Sequence, residues 1–279
     1  MMCKRSALSV LLAAFAFCAD CAELKFLNDI PYRTTCRTPY QKERCKLDIR
    51  YLKGSTGFPT VVWFHGGGLT AGGKHLVRFS DATFGEVAAN YRLMNATNGV
   101  QGADCIDDAA AAVAWTLEHI AEYGGDPKKV FVSGMSAGGY LTMMVGMAPQ
   151  YLRKYGHSIS ELAGIAPISG QATTHFNVRK FSGDNDPQFL PKIDALAPLH
   201  YCSKDIPPII SICGEEPWEW QCRSEENRLL IASCRALGHK KAWFVSTPFS
   251  DHGRAYLTGI PYLELFMRGQ MPGNLQKAK

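Results

Sequence analysis

Short, nearly continuous apolar runs alternate along the chain with longer stretches whose apolar residues recur every three or four positions. The runs TVVWFH (60–65), EVAANY (86–91), KVFVSG (129–134), LAGIAPIS (162–169), PIISIC (208–213) and AWFVST (242–247) are rich in β-branched and aromatic residues and read as buried strands. Helices are predicted between them over 107–123, 137–148, 224–238 and about 256–268. The first has Asp107 or Asp108 as its cap and a Gly-Gly-Asp-Pro stop at 124–127; the third has Ser224 as its cap, Leu229, Leu230 and Leu237 as apolar contacts, and Gly238 as its end. Strands without polar alternation, separated by amphipathic helices, predict an α/β fold with a mostly parallel central sheet flanked on both faces. Working residues in such sheets gather at the carboxyl ends of strands.

Composition narrows the class. A chain of 279 residues with 46% hydrophobic and 20% charged positions can bury a core of its own, and no repeat or low-complexity linker divides it. The net charge of +5 is spread out, and no basic stripe with interleaved aromatics points to nucleic acid. Residues 1–21 carry Lys4 and Arg5, an apolar run from Ala7 to Phe17 and then small residues, the order of a secretory signal peptide too short for an ordinary membrane span. The expectation is a secreted or periplasmic protein with one domain over 22–279. The alternative is a lipoprotein anchor on Cys18 or Cys21, disfavoured by Phe17 and Asp20 before them. Of the ten cysteines seven would remain after export, and Cys36 with Cys45 and Cys222 with Cys234 are close enough in sequence to form disulfides. Their spacings match no zinc ligand set, so neither a metal nor another cofactor is expected.

Two strand ends carry candidate chemistry. VFVSGMSAGGYL places Ser136 in a G-x-S-x-G pattern between a strand and a helix, where Gly134 and Gly138 leave room for a strained turn that presents the serine hydroxyl above the sheet. The same turn points the first free amides of the following helix, beginning with Ala137, at an oxygen that gains charge during acyl transfer. VVWFHGGGLTAGGK (61–74) lacks the Gly-Lys-Ser/Thr ending of a phosphate loop. Its glycines suit a second source of amide donors, Gly67 and Gly68, with His65 bracing the loop. A serine hydroxyl needs a base, and the base is expected in a loop after the last strand. His252 stands there. His65, His75, His119, His157, His175, His200 and His239 fit that place less well, although His175 and His200 could line a pocket. The acid that orients the base falls in CGEEPWEWQCRSEEN, which offers Glu215, Glu216 and Glu219; the distance back from Gly238 favours Glu219, with Glu216 the alternative. Asp251 adjoins His252 too closely to reach its ring nitrogen in the needed geometry.

Taken together, HGGGL, NYRL, DDAAAAVAW, YGGDPKKVFVSGMSAGGYL and SDHG over about residues 40–268 resemble the α/β-hydrolase superfamily, specifically secreted bacterial serine esterases of the carboxylesterase, acetylesterase and feruloyl-esterase-like group. The resemblance implies an acyl-enzyme mechanism with Ser136 as nucleophile, His252 as base, and the amides of Gly67, Gly68 and Ala137 as an oxyanion hole. Many such esterases have an Asp where this chain has EEPWEW. The stretch 169–202 stands where they carry a small cap. Its polar character favours a short acyl group on a small polar or carbohydrate alcohol, with His175, Phe176 and Arg179 as candidate substrate contacts. An arylformamidase or peptidase on the same fold and a catalytically silent binding module are the competing expectations.

Overall fold

The computed structural model describes residues 23–77 and 79–271. The signal-peptide expectation lies outside them. The elements, in chain order, are β1 (Glu23–Pro31), α1 (Pro39–Arg44), β2 (Lys46–Lys53), β3 (Phe58–Phe64), β4 (Gly85–Ala89), α2 (Gly102–His119), β5 (Gly125–Met135), α3 (Ala137–Met147), α4 (Pro149–Arg153), β6 (Gly164–Ile168), α5 (Phe176–Phe181), β7 (Ile209–Cys213), α6 (Arg223–Ala236), β8 (Ala242–Ser246) and α7 (Arg254–Met267). They build one eight-stranded sheet in the order β1-β2-β4-β3-β5-β6-β7-β8. β1 and β2 pair antiparallel, as do β2 and β4; every other neighbour is parallel. A row of aligned residues, Val62, Val132, Ile165, Ile209 and Ala242, crosses the parallel half.

Strands buried on both faces need cover on both. Val62, Phe64, Val130 and Val132 join α2 and α3 in one core, and Val61, Trp63, Phe131, Ile210 and Ile212 join α7 in the other. The Ala-rich face of α2 lets it lie close to its neighbours: Ala109 to Ala112 are all buried. Among the described residues no helix is long and apolar enough to cross a membrane.

Several local expectations need correction. Helix α2 begins at Gly102, with Gln101 preceding it and the Gln101 amide donating to Asp104 (2.9 Å). Asp108 lies inside the helix, fully buried, because Arg92 and Arg33 neutralise it at 2.6 and 2.8 Å. Cys222, in the left-handed region at φ 63°, precedes α6 in place of Ser224, whose hydroxyl donates to the Gly214 carbonyl. Leu230 is buried, whereas Leu229 and Leu237 are exposed. Pro149 starts α4 as well as ending α3. The cysteines Cys36, Cys45, Cys222 and Cys234 are free thiols, as are Cys105, Cys202 and Cys213. Folding brings Cys234 beside Cys202, with which it shares a hydrogen bond, so neighbourhood in sequence did not identify its partner.

Candidate active site

β5 ends in Gly134-Met135 and α3 starts at Ala137, so Ser136 takes the whole turn. Its φ of 56° and ψ of −114° are strained for a side chain other than glycine. The Ser136 amide donates to the Ile168 carbonyl of β6 at 2.8 Å, and its own carbonyl accepts from Tyr140, which locks the turn at both ends. Here glycine is needed for closeness: a Cβ on Gly134 would come within 2.6 Å of the Phe64 carbonyl oxygen, and one on Gly138 would overlap that carbonyl. The glycine loop after β3 thereby lies against the serine turn, and a Cβ on Gly66 would stand 3.5 Å from that of Ser136.

Within that loop Gly67 and Gly68 have φ of 104° and 63°. The Gly67 carbonyl accepts from Thr70 and Ala71 at 3.0 and 2.9 Å, and Asn177 Nδ2 from α5 donates to the Gly68 carbonyl at 2.7 Å. With the carbonyls tied back, the Gly67, Gly68 and Ala137 amides meet no hydrogen-bond acceptor among the described residues. His65 is buried, donates from Nδ1 to the Gly66 carbonyl (2.6 Å) and stacks on Tyr91 at 4.4 Å. Burial holds it neutral by lowering its pKa to about 4, in keeping with a brace.

Three residues from distant parts of the chain form one line. Ser136 Oγ stands 2.9 Å from His252 Nε2, and His252 Nδ1 stands 2.6 Å from Glu219 Oε1. His252 comes from the loop between β8 and α7, and Glu219 from the loop between β7 and α6. A carboxylate offers about four acceptor positions, and Glu219 fills all four. Oε1 takes His252 Nδ1 and the Trp220 amide (2.9 Å); Oε2 takes the Ser169 hydroxyl (2.6 Å) and the Gly214 amide (2.9 Å). Burial raises the Glu219 pKa, but the hydrogen bond and charge of His252, with the Ser169 and Trp220 donors, outweigh it and hold the group at about 2. The carboxylate stays ionised and keeps the proton of the imidazole on Nδ1, leaving Nε2 free to accept from Ser136.

The other carboxylates do not reach His252. Glu216 is exposed. Glu215 accepts the Phe249 amide at 2.8 Å, and Asp251 accepts the Arg254 amide at the start of α7. Of the expected cap residues, Phe176 borders the site: its ring tip would lie 3.8 Å from a Cβ on Gly68. His175 and Arg179 are used in holding together the segment between β6 and β7. The buried His175 accepts the Asn177 amide through Nδ1, and burial, with the nearby Arg223 charge, lowers its pKa to about 3. Arg179 pairs with Asp184 at 2.8 Å and donates to the Leu190 carbonyl. Sequence reasoning missed Ser169 and Asn177, whose partners lie 50 and 109 residues away, and Trp220, whose indole stacks on the distant His252. Ser169 directly follows β6 with a φ of 45°, and its hydroxyl donates to Glu219. Among the described residues no group of histidine, cysteine and carboxylate side chains could hold a metal ion.

The comparisons with known proteins agree with this architecture. Mouse (Mus musculus) Carboxylesterase 1F is 34% identical over 127 residues, 41% of this chain and 22% of the mouse protein. The matched stretch is thus under a third of the length of such curated relatives. Two solved structures have the same fold. A truncated carbohydrate esterase from gut microbiota is 18% identical with a TM-score of 0.68, covering 90% of this chain and 98% of its own. The Thermogutta terrifontis esterase Est2 bound to propionate is 22% identical with a TM-score of 0.65, covering 90% and 95%. The BD-FAE family model matches residues 47–217, more than half of the chain and inclusive of the glycine loop and the serine turn. The chain has the α/β-hydrolase fold and belongs to the BD-FAE family.

Proposed function

We propose that the protein hydrolyses carboxylic esters through an acyl-enzyme on Ser136. The observation that carries this reading is the unbroken hydrogen-bonded line from Ser136 through His252 to a fully satisfied Glu219 carboxylate, at 2.9 and 2.6 Å. In the first step Ser136 Oγ bonds to the ester carbonyl carbon while its proton passes to His252 Nε2. The carbonyl oxygen, now negative, lies against the Gly67, Gly68 and Ala137 amides, where each donor of this kind is worth about 3 kcal/mol. Collapse breaks the bond to the alcohol oxygen, which leaves with the proton from His252. Water then repeats the attack, and the acid departs from Ser136.

The substrate we propose is a short acyl group, of acetyl or hydroxycinnamoyl type, on a small polar or carbohydrate alcohol. The cap between β6 and β7 holds the six-residue helix α5 and a four-residue 3-10 helix over Pro198–Tyr201, and no long apolar helix of the kind that grips a lipid chain. Phe176 and Asn177, which border the glycine loop, also line a groove of about 260 Å³ with Lys180, Asn185 and Gln188, polar groups suited to hydroxyls. The propionate-bound esterase and the carbohydrate esterase of the same fold are consistent with that choice. The test is hydrolysis of p-nitrophenyl acetate, butyrate and octanoate, and acetate release from acetylated xylan, by the wild type and by Ser136→Ala. Turnover should fall with acyl length and vanish in Ser136→Ala. A preference for octanoate would overturn the substrate assignment, and full turnover by Ser136→Ala would overturn the mechanism.

A further inference from the structure

Beside the acid stands a side chain that the proposed chemistry does not use directly. The Trp220 indole lies flat on the His252 imidazole, with ring centroids 3.8 Å apart and planes 10° from parallel. The same residue's amide donates to Glu219 Oε1, the oxygen that receives His252 Nδ1. Consecutive residues therefore bind the edge of the base and cover its face. The indole is itself held from the cap: Phe176 meets it at 6.3 Å and 61°, and Phe189 at 5.9 Å and 50°. Phe176 in turn stacks on the buried His175 at 4.4 Å, and His175 meets Tyr140 of α3 at 5.3 Å with the rings tilted by 56°. From α6, the guanidinium carbon of Arg223 lies 5.9 Å from the Trp220 ring centre.

We infer that Trp220 is a positioning residue for the base, holding the His252 ring in the plane of proton transfer and stabilising the imidazolium that forms when Ser136 gives up its proton. This inference rests on the serine-esterase reading. Two physical effects act together. His252 can leave the line between Ser136 and Glu219 only by turning its ring, and on the covered side the indole blocks that turn. The face of an indole also carries negative charge density, the strongest such face among the aromatic side chains, and attracts a cation more than a neutral ring. The second effect exists only after proton transfer, so it favours the transition state over bound substrate and acts on kcat.

An indole 39% exposed could instead be a wall for the substrate, and the two roles separate experimentally. The variants are Trp220→Leu, Trp220→Met and Trp220→Phe, with Trp218→Leu on the same loop as control, assayed on p-nitrophenyl acetate and butyrate. Trp220→Leu and Trp220→Met should each lower kcat about tenfold, by the same factor for both esters, with KM within about twofold of wild type. Trp220→Phe, which restores a π face, should recover to within about threefold, and Trp218→Leu should match the wild type. Thermal unfolding identifies any variant that has lost its fold; methionine fills the space flexibly should leucine do so. A rise in KM at unchanged kcat, a loss that phenylalanine fails to restore, or no loss at all would overturn the inference. These outcomes are distinct from failure of the esterase reading, which would already be visible as inactive wild type or active Ser136→Ala.

Discussion

Replacing Glu219 with glutamine removes the charge from the carboxylate bonded to His252 and leaves its shape. Four donors point at the carboxylate, from His252, Trp220, Ser169 and Gly214. An amide has one oxygen to accept and one nitrogen that can only donate, so two of those donors must face an NH₂ group whichever way the amide turns. If the nitrogen faces His252, Nδ1 must accept, the ring proton moves to Nε2, and the base can no longer take the proton of Ser136. If the oxygen faces His252, the tautomer survives, but the imidazolium loses its counter-charge and the Gly214 amide meets a donor. Either way kcat should fall by about 10³ to 10⁴, the scale seen when a triad carboxylate becomes an amide. Charge-assisted bonds of about 1.5–3 kcal/mol are lost, partly offset by no longer burying a charge. We expect a net destabilisation of about 2 kcal/mol, or about 4–8 °C in Tm for a domain of this size. The assay is p-nitrophenyl acetate turnover beside thermal unfolding, with Glu216→Gln as control. Near-normal turnover by Glu219→Gln, or loss in Glu216→Gln instead, would refute the assignment of the acid.

Three further outcomes follow from the same geometry. Glu219 is held at about 2 against an ordinary 4.5, so its contribution to stability is complete above about pH 4.5 and is lost as pH falls toward 2; urea unfolding should show a loss of about 3 kcal/mol over that window, absent in Glu219→Gln. Asn177→Ala removes the 2.7 Å bond to the Gly68 carbonyl and should lower kcat about tenfold with little change in Tm, because it frees the loop to turn its amides away; unchanged kcat would show that the loop holds its own shape. Gly138→Ala would set a methyl into the Phe64 carbonyl, and soluble, active protein from that variant would contradict the close contact between the serine turn and β3.

Much of this arrangement is readable from local pattern, and the rest is not, for identifiable reasons. Continuous apolar runs located β3 to β8 because both faces of those strands are buried. β1 and β2 escaped notice because β1 is largely exposed at the sheet edge and the two mix charged with apolar residues. The start of α2 was misplaced because Asp107 and Asp108 look like caps, whereas they serve ion pairs with Arg33, Lys154 and Arg92. Ser136 and His252 could be selected from strand-end position and chain order, and Glu219 only from a count along its loop. Ser169 and Trp220 could not be found that way: the contact that defines each spans 50 and 32 residues of chain, from Ser169 to Glu219 and from Trp220 to His252. Cys234 shows the same limit, since its neighbour Cys202 lies across the fold and Cys222, the residue immediately before the helix, does not pair with it.

Ester hydrolysis by the proposed route requires a covalent acyl group on Ser136. Rapid mixing of the protein with p-nitrophenyl acetate, followed by acid quench and peptide mass spectrometry, tests it directly. A burst of p-nitrophenol is expected, with a single acetyl group on the peptide that contains Ser136, both absent in Ser136→Ala. Steady p-nitrophenol release by Ser136→Ala at the wild-type rate, or an acetyl group carried by another residue on the path to product, would contradict it.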